Sequence, residues 1–150
     1  MQKNNKEKKE IKSRYVLEVE KLENSKYLHL MGFAARSGKI VYSEDDVLLG
    51  IVKGRIALAI VAKDMPEKSK RRLEKKLVYA YENLSFDKNE TRKKENKSEK
   101  QNGNIRVIIV GTKEENSSAV GKVNKTVIGI KDRNLAKGII TSILEEIDGK

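Results

Sequence analysis

Three short, almost wholly apolar runs constrain the fold more than any other feature of the chain. They are Ile56–Ala62 (IALAIVA), Ile105–Val110 (IRVIIV) and Thr126–Ile130 (TVIGI). Each has the length of a strand, and each lies between segments with helical periodicity. A strand that is apolar at successive positions has no face to offer water, so it must be covered on both sides. The intervening segments can supply that cover. Ser25 opens a run with Tyr27, Leu28, Leu30, Met31, Ala34 and Ala35 that stops at Gly38. Ser43 and Asp46 form a cap ahead of Val47, Leu48, Ile51 and Val52, and Asp64 with Glu67 caps a helix carrying Leu73, Leu77 and Tyr81. Thr112 and Glu115 match the T-x-x-E capping box of a short helix closed by Ala119, Val120 and Gly121. Asp132 caps the last helix, whose stripe is Leu135, Ala136, Ile139, Ile140, Ile143, Leu144 and Ile147. Strands alternating with helices imply βαβ crossovers. The expected fold is α/β, a three-layer α/β/α sandwich with a small mixed, largely parallel sheet.

A length of 150 residues favours one domain. Residues 1–24 read as a basic N-terminal extension, disordered over 1–12, with a short helix over 13–23 from the spacing of Tyr15, Val16, Val19 and Leu22. Residues 25–150 read as the single α/β/α domain. It is interrupted at 84–104 by a low-complexity insertion rich in Lys, Glu and Asn, which a surface loop can accept at small thermodynamic cost.

Composition removes several classes of function. There is no Cys, which excludes disulfides and thiolate metal sites, and a single His. No apolar run reaches signal-peptide or membrane-spanning length, so a cytoplasmic protein without a membrane partner is expected. Neither Gly-x-Ser-x-Gly nor a phosphate-binding G-x-x-x-x-G-K-[ST] occurs. His29, between Leu28 and Leu30, reads as a partly buried structural residue, and Glu44, Asp45 and Asp46 read first as acids complementing a helix dipole. No catalytic residue, metal, cofactor or small-molecule substrate is predicted. The chain reads as a non-enzyme and a monomer.

The charge is +11, from 33 Lys and Arg against 22 Asp and Glu. The excess is not confined to the tail and insertion, because Pro66–Lys76 alone holds six basic side chains against Glu67 and Glu74. Such a body attracts a polyanion, most simply nucleic acid, by neutralising phosphates and releasing their counterions. Ligand sites of open α/β folds lie at strand and helix ends. That narrows the search to Arg36–Asp46, Lys63–Lys70 and Thr112–Lys122.

The stretch Leu30-Met31-Gly32-Phe33-Ala34-Ala35-Arg36-Ser37-Gly38-Lys39 is the most specific in the sequence. It is followed by Ile60-Val61-Ala62-Lys63-Asp64, Thr112-Lys113-Glu114-Glu115, Ala119-Val120-Gly121-Lys122, and Asp132 with Leu135-Ala136-Lys137. In order and spacing these resemble the bacterial YlxQ-type proteins of the L-seven-Ae / L-thirty-e ribosomal protein family, which binds kink-turn RNA. The resemblance covers about 25–83 and 105–147. It implies structured RNA, ribosomal RNA among the candidates, as the partner, and a site made of three pieces. The first falls on Arg36, Gly38, Lys39, Ser43, Glu44, Asp45, Asp46 and Leu49, with Lys53 one turn on. The second is the start of the basic helix, Lys63, Asp64, Lys68 and Lys70. The third is a loop after Asn116-Ser117-Ser118, with Val120 against an extruded base and Gly121 and Lys122 beside it. Ser43 stands where the family has glycine, and Leu49 where it has a basic residue.

The chemistry of such a site follows from the side chains. A kinked RNA brings two phosphate backbones together, and Lys39, Lys53, Lys68, Lys70 and Lys122 offset their repulsion. Ionised Glu44, Asp45 and Asp46 only accept hydrogen bonds, which suits the donor edge of a guanine outside Watson–Crick pairing. Aromatics are 5% of the chain, too few for a single-strand stacking platform. The alternative is a protein-interaction or ribosome-assembly adaptor whose RNA site has degenerated. The RNA reading requires the three pieces to meet on one side of the molecule.

Overall fold

The computed structural model describes residues 9–11, 15–22, 24–83 and 105–148. In chain order the elements are β1 Lys9–Ile11, β2 Val16–Val19, α1 Lys26–Arg36, β3 Ile40–Tyr42, α2 Glu44–Val52, β4 Leu58–Val61, α3 Glu67–Glu82, β5 Val107–Ile109, α4 Lys113–Ala119, β6 Val127–Ile130 and α5 Arg133–Asp148. The strands form one sheet in the order β1-β2-β5-β4-β6-β3. Pairing is parallel for β2–β5 and β5–β4, and antiparallel for β1–β2, β4–β6 and β6–β3. β2, β5, β4 and β3 therefore run one way, and β1 and β6 the other.

The apolar runs are buried on both faces because their side chains alternate between two cores. Leu17, Val19, Leu58, Ile60, Ile108, Ile128 and Ile130 meet Tyr27, Met31 and Ala34 of α1 and Ala136, Ile139 and Ile143 of α5. Val16, Ala59, Val61, Val107, Ile109 and Val127 meet Val47 and Ile51 of α2 and Leu73, Leu77, Ala80 and Tyr81 of α3. The three-layer α/β/α sandwich is thus the observed fold. Two glycines let α2 press close to the sheet. A Cβ at Gly50 would stand 2.5 Å from Cγ1 of Ile56, and one at Gly129 would stand 3.1 Å from Cγ2 of Val47.

The N-terminal region departs from expectation. Residues 16–19 form a strand, not part of a helix, and residues 9–11 pair with it. Val16, Val19 and Leu22 fit a helical period, but Val16 enters one core and Leu17 and Val19 the other, as in a strand covered on both faces. Tyr15 stacks on Tyr81 with ring centroids 6.3 Å apart. Residues 15–22 are therefore built into the fold, and the domain starts before residue 25. The expected insertion at 84–104 lies outside the described residues, as do residues 1–8.

At the end where β2 and β5 finish, α1 and α4 are joined by a buried polar contact. The Tyr27 hydroxyl donates to Oδ1 of Asn116 at 2.9 Å, and Nδ2 of Asn116 donates to the Val110 carbonyl at 3.0 Å. Burial, with Glu115 and Glu146 nearby, pushes the Tyr27 phenol well above its ordinary range, so it stays a donor. Gly111 sits against this pair at φ +71°, and a Cβ there would stand 2.1 Å from the Tyr27 hydroxyl and 2.6 Å from Oδ1 of Asn116. Gly111→Ala combines a left-handed backbone with an overfilled contact. It should lower stability by about 2–5 kcal/mol in urea unfolding, while the conservative Tyr27→Phe should lose no more than about half of that.

Candidate functional site

The sheet register decides which loops are neighbours. β6 is antiparallel to both β4 and β3, with Val127 opposite Val61 and Ile128 opposite Tyr42. The start of β6 therefore lies where β3 and β4 end. Ser43–Asp46 leave β3 at that end, Lys63 and Asp64 leave β4 there, and residues 121–126 enter β6 there. Part of each of the three expected pieces is brought together.

The first piece is a strained helix start. Ser43 has φ +75° and ψ 142°, a region almost reserved for glycine, while its hydroxyl accepts from the Asp46 N–H at 3.3 Å. Asp45 and Asp46 are exposed beyond it. Glu44 is partly engaged, with Oε2 at 3.2 Å from Nζ of Lys76.

The second piece is mostly structural. The ammonium of Lys63 donates to the Glu20 carbonyl at the end of β2. Asp64 Oδ1 accepts from the Lys113 N–H at 2.9 Å, so it ties the β4 end to the start of α4. Lys70 is buried at 9% exposure; its ammonium donates to the Lys63 carbonyl at 3.1 Å and lies 3.5 Å from Glu67 and 4.0 Å from Glu18. A lysine so enclosed is not offered to a ligand. Lys68, two residues earlier and on the opposite face of α3, is exposed.

The third piece differs most from expectation. Asn116, Ser117 and Ser118 lie in α4, the short helix expected from the capping box, and the loop starts after them. The Ser117 hydroxyl, itself buried, accepts from the Lys125 N–H at 2.8 Å and holds the following loop closed. Val120 is 7% exposed and belongs to the core, so it is not free to meet a base. The accessible apolar side chain of this loop is Val123, at 74% exposure. A hydrophobic count along the sequence could not separate the two; the signal was that Val120 keeps helical spacing with Asn116 and Ser117, whereas Val123 lies past Gly121. Nζ of Lys122 and of Lys125 stand 5.2 and 5.8 Å from the Tyr42 ring centroid, so both cations gather over the aromatic at the end of β3. Lys125 is not among the residues expected from the sequence.

Four predicted residues fall elsewhere. Lys39 and Lys53 lie at the opposite end of the sheet: the Lys39 carbonyl accepts from Lys131 N–H at 2.8 Å, and Lys53 precedes the start of β4, where Leu58 faces Ile130. Gly38 lies beside Lys39, ending α1 at φ +70°. Arg36 lines an open groove between α1 and α4 with His29, Gly32 and Ser118. His29 is exposed, not partly buried. The Arg36–Lys39 half of the first piece is thus separated from the Ser43–Asp46 half by the length of β3.

No protein-family model and no curated protein matches the sequence. Among solved structures the chain is similar to a protein of unknown function from Bacillus halodurans, with 24% identity, 81% of this chain and 100% of that one covered, and a TM-score of 0.61. It is also similar to the Giardia lamblia 15.5kD RNA-binding protein, with 17% identity, coverage of 85% and 92%, and a TM-score of 0.54. Both likenesses are of fold. They establish that this α/β/α arrangement recurs in other proteins.

The strain at Ser43 gives a direct test of the helix start. Ser43→Gly removes a backbone cost of about 1–3 kcal/mol and loses a cap worth only a few tenths relative to glycine. It should raise the urea midpoint by an amount equivalent to about 1–2 kcal/mol, whereas Ser43→Ala should lower it.

Proposed function

We propose that this chain is a non-enzymatic RNA-binding protein that recognises a folded, kink-turn-like RNA, works as a cytoplasmic monomer, and takes ribosomal or similarly structured RNA as its partner. One observation carries this reading. At a single end of the sheet, exposed carboxylates of Asp45 and Asp46, cations of Lys122 and Lys125, and the exposed Val123 are contributed by two distant segments that β6 brings together. The fold likeness to the Giardia lamblia RNA-binding protein, the net positive charge and the sequence resemblance support it.

Each group has a task in this reading. Lys122, Lys125 and Lys68 lower the repulsion between converging phosphates. Asp45 and Asp46 accept from guanine edges that a non-Watson–Crick pair leaves open. Val123 offers an apolar surface to an unstacked base. Ser117, Asp64, Lys63 and Lys70 hold the loops in place beforehand, so little chain entropy is lost on binding.

Lys122→Ala should weaken every RNA tested by a similar factor and reduce the slope of log affinity against log salt by about one. Asp45→Ala should weaken only RNA carrying a guanine edge free of Watson–Crick pairing, by about 1–3 kcal/mol. Titrations of a kink-turn hairpin and of its fully paired counterpart, over a range of salt, read both effects. Affinity that ignores salt would remove the electrostatic frame and favour a protein-contact role.

A further inference from the structure

The outer face of α3 carries a cationic strip of which the loop-end site uses only Lys68, at its near end. At 100° per residue, Lys68, Arg72, Lys75 and Tyr79 fall within about 60° of one another around the helix. They lie opposite the buried Lys70, Leu73, Leu77, Ala80 and Tyr81, and all four are exposed, Tyr79 at 69%. Arg71 lies at the margin of the strip and is paired to Glu67 at 3.0 Å. Glu67 and Glu74 sit more than 90° round the helix from the middle of the strip, so none of the carboxylates of α3 interrupts its outer face between Lys68 and Tyr79. Glu82, one turn further, bounds it. The strip is about 16 Å long at the helical rise of 1.5 Å per residue.

Its position matters as much as its charge. α3 begins where β4 ends, beside the proposed RNA-binding end, and then runs away from it across the sheet face. Lys76, next to the strip, reaches Glu44 in the first turn of α2 at 3.2 Å. The strip and the acidic helix start are therefore neighbours, one ion pair apart. A solubility face needs mixed charge and no aromatic. This face has one sign over two turns and ends in an exposed tyrosine.

We infer that the outer face of α3 is a second RNA contact, resting on the reading above, which tracks the phosphate backbone of a duplex arm leaving the loop-end site. Lys68, Arg72 and Lys75 meet successive phosphates of one strand, and Tyr79 packs against the sugar edge where the strip ends. The contact is sequence-independent and adds reach. The loop end selects the bend, and α3 measures the length of the arm beyond it.

The test uses the full chain and two hairpin RNAs with the same kink-turn, whose arms differ by one full helical turn of duplex. The wild-type protein should bind the long-armed RNA about tenfold more tightly and with a steeper salt dependence. The double substitution Arg72→Gln with Lys75→Gln should bind the short-armed RNA as the wild type does and lose the gain from the longer arm; both side chains are exposed, so folding is not at stake. Tyr79→Ala should lose part of that gain. Equal wild-type affinity for the two RNAs, or a double variant that keeps the gain, overturns the inference and leaves the loop-end site standing. A wild-type protein that binds neither RNA overturns the underlying reading and this one with it.

Discussion

The direction of β6 is the constraint on which the proposed site depends. Parallel strands alone would send every helix start to one end of the sheet and every returning loop to the other. β6 is inserted antiparallel between β4 and β3, so the loop that precedes it returns to the end where those strands finish. Lys122 and Lys125 then reach the ring of Tyr42, the residue before the α2 turn. Gly129 within β6 keeps the sheet face flat where Val47 and Ile56 pack, which holds α2 and its first turn against the same strand. Sheet register, helix seat and loop position are one geometric fact seen from three sides.

Much of the charge near that end is spent on building it. Lys70 is enclosed, and with the partly buried Lys63 and the exposed Asp64 it joins the ends of β2 and β4 to the starts of α3 and α4. Hydrogen bonds to charged groups are stronger than neutral ones, and enclosed cations need such partners. Ser43, by contrast, stores strain in an exposed turn, a combination found where a backbone is held in one shape for a purpose. The end of the sheet is cross-linked below and presents exposed Asp45, Asp46 and Lys122 above.

The sequence carried the architecture well and the topology less well. The runs at 56–62, 105–110 and 126–130 are readable as strands because a strand covered on both faces is apolar at every position, and the helices between them are readable from caps and stripes. The pattern does not encode direction, so β6 reads the same whichever way it runs. β3 is three residues long, too short for a periodic signal. β2 satisfies helical and strand spacing at once, and only its pairing with β5 decides. At the site, residue type and spacing single out Asp45, Asp46 and Lys122, and the register of β6 sets their segments at one end of the sheet. Val120, expected to face a base, is buried in the core while Val123 is exposed, and Lys39 and Lys53, expected beside Ser43–Asp46, lie a strand or a helix length away. A linear motif preserves order along the chain but says nothing of which end of a strand each residue occupies.

The central claim is that RNA meets the end of the sheet formed by the α2 start and the loop before β6. Amide hydrogen exchange with and without a kink-turn RNA tests it most directly, because it reports position along the chain without mutation. Slowed exchange over 43–46 and 121–126, with 53–57 and 131–133 unchanged, is the outcome this geometry predicts. Slowed exchange confined to the opposite end, around Lys39, Lys53 and Lys131, would contradict it.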